Sequence, residues 1–493
     1  MHIQIRLDRE SHEKIPFYKQ IVDGFVSLIQ EGSLPHGTRL PAIRELAGQL
    51  EVTRVTVHKA YNALKEEGWV DSTVGKGTFV SHHQSPQPQK IKVSASEMTP
   101  DNIMADMNRL REWPGMLSLA MAEPDPGLYP AKEFIRLFRG MEEQADRLFR
   151  YGYYQGDPEL RQMISGLLIE RGMRIVSDDI IMTTGVTQGL SLAIAAICDR
   201  GDSVLIEEPT YLGFLNMLKS YGLRPICVPM DEEGPCLDGL EEILKLERPK
   251  LFYTIPCFQN PAGTHMSERR RERLLALSHK YHFMILEDDI YGDLRYDIDM
   301  IPTLKARAPE QVVYLNSFSK VLLPGLRIGF AVPPAFLKEK MMTMIRCREL
   351  GGSPLLQQAL TEFLRRGLLH KHLELSLPVY KKRRDVLLDT LEKTMPREVS
   401  WSVPGGGFCC WVSLPEDGHF EGLYQDAIQR GVAYAPGQVF FAHSGTHQHL
   451  RLCFSVQNEQ VIRKAVSILG KLVTDYLNRP TFRKAAFEFK PVV

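Results

Sequence analysis

The chain has 493 residues, 44% apolar and 24% charged, with 60 Lys and Arg balanced by 60 Asp and Glu. That mixture excludes wholesale disorder and collagen-like or low-complexity architectures, and the length predicts more than one domain. Zero net charge excludes a chain that is polybasic throughout, though not a local basic face.

In chain order, FYKQIVDGFVSLIQEG after Pro16 reads as a helix, with Ile21, Phe25, Leu28 and Ile29 at helical spacing and Gly32 as a stop. LPAIRELAGQL is a second, short helix after Pro41. VTRVTVHKAYNALKEEG is a third, with Thr53 as its cap, a stripe of Val57, Ala60, Tyr61 and Leu64, and Gly68 at its end. WVDSTVGKGTFVS is a hairpin around Gly75-Lys76-Gly77. Three helices and a hairpin make an α+β winged helix-turn-helix over residues 1–80. The third helix opens with Thr53, Arg54, Thr56, His58 and Lys59 and meets no acid before Glu66, so its first turns suit phosphates and base edges in a major groove. Lys76, between two glycines, suits a backbone approach at the wing. Only this face is basic, because residues 1–80 hold 5 Lys and 5 Arg against 3 Asp and 7 Glu. The run GTRLPAIRELAGQLEVTRVTVHKAYNALKEEGWVDSTVGKGTFV resembles the GntR-type winged helix of bacterial regulators. That resemblance implies double-stranded DNA as partner, with Arg44, Thr53, Arg54, His58 and Gly75 at the contact.

Residues 81–100, SHHQSPQPQKIKVSASEMTP, are polar with Pro86, Pro88 and Pro100 and read as an extended linker. From 101 to 493, helical stretches alternate with the apolar runs SVLIEEP, KLFYTIP, FMILEDD, VVYLNSFS and RIGFAV. The alternation predicts an α/β domain with a mainly parallel sheet.

Its chemistry centres on Ser317-Phe318-Ser319-Lys320, a lysine ending a hydroxyl-rich loop after an apolar strand and hence a candidate partner for an aldehyde. The needs of pyridoxal 5'-phosphate can be met in turn. Gly185, Val186 and Thr187 lie where a loop feeds a helix N-terminus, and with Ser317 and Arg327 they suit the phosphate. Asp288 suits the pyridine nitrogen, Asn260 and Tyr291 the phenolic oxygen, and Tyr211 the ring face. Arg451 suits the carboxylate of an amino-acid ligand. These motifs in this order resemble fold-type I aminotransferases of the aspartate-aminotransferase superfamily. The resemblance implies a homodimer in which Tyr151 reaches the neighbouring subunit's cofactor phosphate. Where many relatives carry a Gly-rich stretch near the substrate carboxylate, this chain has Met121-Ala122-Glu123-Pro124.

Both blocks together resemble the MocR regulators. That implies a sensor of pyridoxal phosphate or of an amine or amino-acid effector, weak or absent transamination, and a head-to-tail, domain-swapped dimer. A genuine aminotransferase with an accessory domain is the rival reading, and a dead dimerisation scaffold is a third. The eight cysteines are scattered without a C-x-x-C pair, so reduced thiols and the cytoplasm are expected, and no metal site. No apolar run of about 18 residues and no secretory signal appear, so no membrane partner is expected.

Overall fold

The computed structural model describes residues 16–30, 33–66, 68–73, 77–81, 100–111, 113–348, 351–416, 418–443 and 448–479, with Ile5, Leu7 and Gly445. The chain divides into two compact units, Met1–Lys92 and Val93–Val493. Gly75 and Lys76, and most of the expected linker, lie outside the described residues.

The first unit holds α1 (Phe17–Gln30), α2 (Ile43–Gln49) and α3 (Arg54–Glu66), followed by the hairpin β1 (Val70–Thr73) and β2 (Gly77–Val80). The strands pair antiparallel from Val70 opposite Val80 to Thr73 opposite Gly77. The expected stripes close one core, in which Ile21, Phe25, Val57, Ala60, Tyr61 and Leu64 are buried with Leu46, Val70 and Val80. Tyr61 meets Phe25 edge-on at 5.8 Å, and its hydroxyl donates to the Pro41 carbonyl at 2.8 Å. The ring therefore fills the core while its polar tip ties α3 to the start of α2.

The second unit opens with α4 (Pro100–Arg111). Pro100, read as linker, is the first residue of that helix, where its fixed φ and missing N–H are no liability. The strands follow as β3 (Leu117–Ser118), β4 (Ile181–Thr183), β5 (Ser203–Glu208), β6 (Arg224–Asp231), β7 (Gly234–Pro235), β8 (Leu251–Thr254), β9 (Met284–Asp288), β10 (Val312–Ser317) and β11 (Gly329–Val332). Beyond them lie β12 (Ser400–Trp401), β13 (Cys409–Ser413), β14 (Val432–Ala433), β15 (Ala435–Pro436) and β16 (His449–Cys453). The main sheet runs β4-β11-β10-β9-β8-β5-β6-β7, and β5, β6, β8, β9 and β10 are mutually parallel. RIGFAV departs from the expected parallel pattern, because β11 is antiparallel to both β10 and β4. A parallel return needs a crossover of a dozen or more residues, usually a helix. The stretch 318–328 holds only a single 3-10 turn, Pro324–Leu326, so the chain doubles back. A smaller sheet, β12-β13-β16-β15, carries Arg451 on β16. Ligands of open parallel sheets bind beyond the carboxyl ends of the strands. Gly185, Tyr211, Asn260, Asp288 and Lys320 all lie at or just past such ends.

Candidate functional site

β10 ends at Ser317, whose hydroxyl donates to Ser319 Oγ at 2.9 Å and accepts from the Ser319 N–H at 3.0 Å. That turn presents Lys320, and its Nζ donates to the carbonyl of Ala122 at 2.7 Å. Burial lowers the Lys320 pKa below the ordinary lysine value, favouring the neutral, nucleophilic amine.

The helix Val186–Ile197 follows β4, and among the described residues no side chain caps its N-terminus. Gly185 precedes it with φ +116°, and a Cβ there would stand 2.8 Å from the Arg327 guanidinium. A Cβ on Gly329 would stand 2.8 Å from Gly185 Cα, so two glycines and an arginine close on one small space. Arg327 itself is left-handed, with φ 51°, and donates to the Thr184 carbonyl at 2.9 Å. Val186 is buried and Thr187 is exposed.

Asp288 ends β9 almost wholly buried. Tyr253, stacked on Phe214 at 3.8 Å, donates to one Asp288 oxygen at 3.1 Å, and the Ile290 N–H donates to the other at 3.3 Å. Burial pushes Asp288 up to about 7, against the Tyr253 and backbone hydrogen bonds that stabilise its charge. Tyr211 folds its ring over Gly213, where a Cβ would lie 2.5 Å from the ring. Burial raises the Tyr211 pKa, the Asp288 charge adds to the rise, and Arg451 and Arg327 oppose it, which places the four within electrostatic reach. Tyr291 is buried edge-on to Phe408 at 5.9 Å.

Arg451 is buried with its guanidinium 4.8 Å from the Phe440 ring centroid. One terminal nitrogen donates to Asn260 Oδ1 at 2.9 Å and the other to the carbonyl of Ala120. Its Nε has no hydrogen-bond partner among the described residues. The segment that stands where many relatives are Gly-rich thus lays the carbonyls of Ala120 and Ala122 on Arg451 and Lys320. Glu123 turns its carboxylate to Arg111 at 2.7 Å.

The structure therefore gathers Lys320, Gly185, Tyr211, Asn260, Asp288, Tyr291, Ser317, Arg327 and Arg451 around one cleft. Tyr151 stands outside it, 88% exposed, beside Arg147, Arg150 and Tyr153. Sequence reasoning missed Tyr253, Phe440 and the carbonyls of Ala120 and Ala122; backbone and ring contacts leave no motif. It also missed that Glu208, Cys227 and His443 bring a carboxylate, a thiol and an imidazole within 4.8 Å, because those positions have no ligand spacing.

On the first unit, Arg44, Thr53, Arg54 and His58 are exposed, and Thr56 is half-buried. Thr53 Oγ1 accepts from the Thr56 N–H at 3.2 Å, the expected cap, and lies 2.9 Å from Thr56 Oγ1. Lys59 instead lies 4.1 Å over the Tyr18 ring of α1. Val55, 76% exposed beside Arg54, adds an apolar group to the face that the sequence reading did not include.

A winged helix and a lysine-centred cleft at the strand ends of a mainly parallel sheet define a DNA-binding unit fused to a fold-type I, pyridoxal-phosphate-dependent unit. Residues 118–469 match the aminotransferase class I and II family, and residues 17–80 match the bacterial regulatory proteins of the gntR family. The chain is 29% identical to the HTH-type transcriptional regulator YdfD of Bacillus subtilis over 96% of this chain and 99% of that protein. It is 36% identical to aromatic-amino-acid aminotransferase 1 of Thermococcus litoralis, over 76% and 92% of the two chains. Among solved structures, the alpha-aminoadipate aminotransferase LysN of Thermus thermophilus, complexed with N-(5'-phosphopyridoxyl)-L-leucine, superposes with a TM-score of 0.70 at 33% identity, covering 75% of this chain and 95% of that one. The chain belongs to the MocR-like regulators, in which a GntR-type DNA-binding domain is fused to a class I and II aminotransferase domain.

Pyridoxal 5'-phosphate is the cofactor of this fold. The residues present fit it, since two close-set glycines at an uncapped helix start leave backbone N–H groups open beside Arg327, while Asp288 is buried and Lys320 half-buried at the ends of neighbouring strands. Among the described residues no helix is long and apolar enough to cross a membrane.

Proposed function

We propose that the protein is a pyridoxal-phosphate-dependent transcriptional regulator whose large unit senses the cofactor, an amine or an amino acid, with weak or no transaminase turnover. The observation that carries this reading is that two of the cleft's cations are held by its own backbone, Lys320 by the Ala122 carbonyl and Arg451 by the Ala120 carbonyl. A cleft with a full cofactor set whose ligand-binding groups are held by its own chain suits a switch better than rapid turnover.

In this reading residues 1–80 bind DNA, 81–100 link, and 101–493 sense. Arg44, Thr53, Arg54, Thr56 and His58, with Gly75 and Lys76 in the wing, contact DNA. Gly185, Val186 and Thr187 offer backbone N–H groups to the phosphate, joined by Ser317, Arg327 and the partner subunit's Tyr151. Tyr211 covers the ring, while Asn260 and Tyr291 donate to its phenolic oxygen. Asp288, steadied by Tyr253, holds a proton at the ring nitrogen. Lys320 brings an amine whose depressed basicity leaves its lone pair available. When bound, pyridoxal phosphate supplies an aldehyde that condenses with amines and a ring that withdraws electrons. Arg451 orients an effector carboxylate with two parallel donors once the Ala120 carbonyl yields. An effector switches the regulator only if it binds two arrangements of the reader domains unequally. The protein acts as a head-to-tail homodimer in the cytoplasm.

The test joins two titrations on the full chain. Candidate amines are added to cofactor-loaded protein while its visible absorbance is followed, and anisotropy is read on the promoter upstream of its own gene against random duplex at two salt concentrations. Expected are an amine-dependent spectral change and a promoter preference that the same amine shifts. No promoter preference together with ordinary turnover of amino acids would establish the aminotransferase reading instead.

A further inference from the structure

Two cysteines in the wall of the cleft have no part in the chemistry above. Cys409 on β13 and Cys453 on β16 stand directly opposite each other in an antiparallel pair. Both are free and 2% exposed, with sulfur atoms 3.9 Å apart. The Phe454 N–H donates to the Phe408 carbonyl at 3.2 Å, so that neighbouring pair is the hydrogen-bonded position. The Cys453 N–H points the other way, to the Leu119 carbonyl at 2.8 Å. Cys409 and Cys453 therefore occupy a non-hydrogen-bonded position, where Cα atoms are about 4.5 Å apart and side chains approach most closely. Disulfides span Cα separations of about 4.4–6.8 Å, so this pair can close without moving a strand.

The two sulfurs differ in their electrostatic surroundings. Burial opposes a Cys453 thiolate, but the Cys409 hydrogen bond and the charges of Arg451 and Lys320 outweigh it and lower the Cys453 pKa. The Cys409 pKa is raised, by that same hydrogen bond and by burial, so Cys453 is the readier of the two to ionise. Arg451 lies two residues before Cys453 on the same strand face. Cys409 Sγ also lies 3.8 Å from Asn260 Oδ1, the atom that accepts from Arg451.

We propose that Cys409 and Cys453 form a reversible redox modification site in the cleft wall, oxidised by hydroperoxides to an intrachain disulfide that alters the Asn260–Arg451 pair. The Cys453 thiolate attacks one peroxide oxygen. The O–O bond breaks, and the distal oxygen leaves and takes a proton from solvent, as water from hydrogen peroxide or as alcohol from an organic hydroperoxide, while Cys453 becomes a sulfenic acid. Cys409 sulfur then attacks the Cys453 sulfur, the S–O bond breaks, and the hydroxide departs as water with the Cys409 proton. The two thiols give up two electrons and the peroxide takes both. A dithiol reverses the reaction. Closure brings the sulfurs from 3.9 Å to about 2.05 Å and shifts the Cys409 sulfur that lies 3.8 Å from Asn260 Oδ1. The chemistry stands on this geometry alone; only its consequence for ligand binding rests on the proposed cleft assignment.

Full-length reduced protein is treated with hydrogen peroxide, blocked with iodoacetamide, digested without reductant and analysed by mass spectrometry. The expected result is a Cys409 peptide joined to a Cys453 peptide and separated by dithiothreitol. Cys409→Ser under the same treatment should stop at a dimedone-trapped Cys453 sulfenic acid. Alkylated Cys409 and Cys453 in peroxide-treated wild type, or Cys453 carried on to sulfinic acid without the link, overturns the proposal. Cofactor titration of reduced protein checks the cleft assignment separately. Oxidised wild type should differ from it in pyridoxal phosphate affinity by about fivefold or more, with Cys409→Ser unmoved by peroxide. A disulfide that leaves affinity unchanged overturns the link to the cleft.

Discussion

Asp288 and Asp289 are neighbours in sequence and differ in what they hold. Asp288 faces Tyr253 and the cleft, whereas Asp289 is ion-paired with Arg171 and accepts from Tyr314 at 2.8 Å. Asp288→Asn should weaken cofactor retention and leave thermal stability close to wild type. Asp289→Asn should instead leave the buried Arg171 with only the half-buried Asp293 carboxylate and the Gly292 carbonyl, and cost about 1–3 kcal/mol of stability. Denaturation and cofactor titration of both variants separate the two roles, and a stable Asp289→Asn that sheds cofactor would reverse the assignment. The sequence motif Glu287-Asp288-Asp289 carries no sign of which carboxylate turns inward; only the partners contributed by β8, β10 and a distant arginine decide it. His265 gives a second test. Neither ring nitrogen has a hydrogen-bond partner among the described residues, and burial, reinforced by the Arg271 charge, lowers its pKa to about 4. The unfolded chain takes up that proton near pH 6.5, which the fold resists, so this histidine's contribution is present above about 6.5 and lost as pH falls toward 4. The melting temperature of wild type should therefore fall more steeply than that of His265→Gln between pH 7 and 5. Parallel curves would show that the ring is not buried neutral.

At the scale of elements, α3 joins a structural cap to a reading face. Thr53→Ala removes the hydrogen bond to the Thr56 N–H and should cost about 0.5–2 kcal/mol of first-unit stability. Arg54→Ala removes an exposed guanidinium and no core contact, so stability should hold. If Arg54 reads a guanine, its loss should cost about 1–3 kcal/mol of specific binding and relax preference at one base pair. Anisotropy on single-base variants of the bound site checks this, and an equal loss on all sequences would make Arg54 a phosphate contact. α1, α2, α3 and the hairpin were all legible, because helical spacing, a cap and two glycines mark them locally. Lys59 was not, since its place over Tyr18 depends on how α1 crosses α3. The direction of β11 was illegible for a related reason. An apolar run reports burial and says nothing of strand sense, which the short 318–328 connection dictates.

For the whole molecule, the exposed Tyr151 is the residue that a single chain leaves without a purpose in the cleft. If it completes the neighbouring subunit's phosphate site, Tyr151→Phe should loosen the cofactor at a site whose other residues are intact. Lys320→Ala should keep the phosphate site but lose the covalent imine band, and still bind DNA. Coexpressed Tyr151→Phe and Lys320→Ala chains should form mixed dimers, and in these the one retained Lys320 site draws its tyrosine from the Lys320→Ala chain. That site should hold cofactor as tightly as wild type. Retention no better than in Tyr151→Phe alone would place Tyr151 in its own chain's cleft. Oligomeric geometry of this kind came from resemblance, because no periodicity in one chain encodes which copy supplies a side chain.

In the proposed reading, the carbonyls of Ala120 and Ala122 would make the cleft a coincidence detector. A carboxylate without an amine would displace only the Ala120 carbonyl from Arg451, and an amine without a carboxylate would exchange only with Lys320 at the cofactor aldehyde, freeing Lys320 for the Ala122 carbonyl. Either visitor would change one backbone contact of the 120–122 strip, and only a molecule presenting both groups at the right spacing would change both. Such a two-key lock would discriminate against simple acids and simple amines without any need for a tight-fitting pocket. It would also set a threshold, since the affinity of a true effector is reduced by the free energy of the Ala120 bond it must displace.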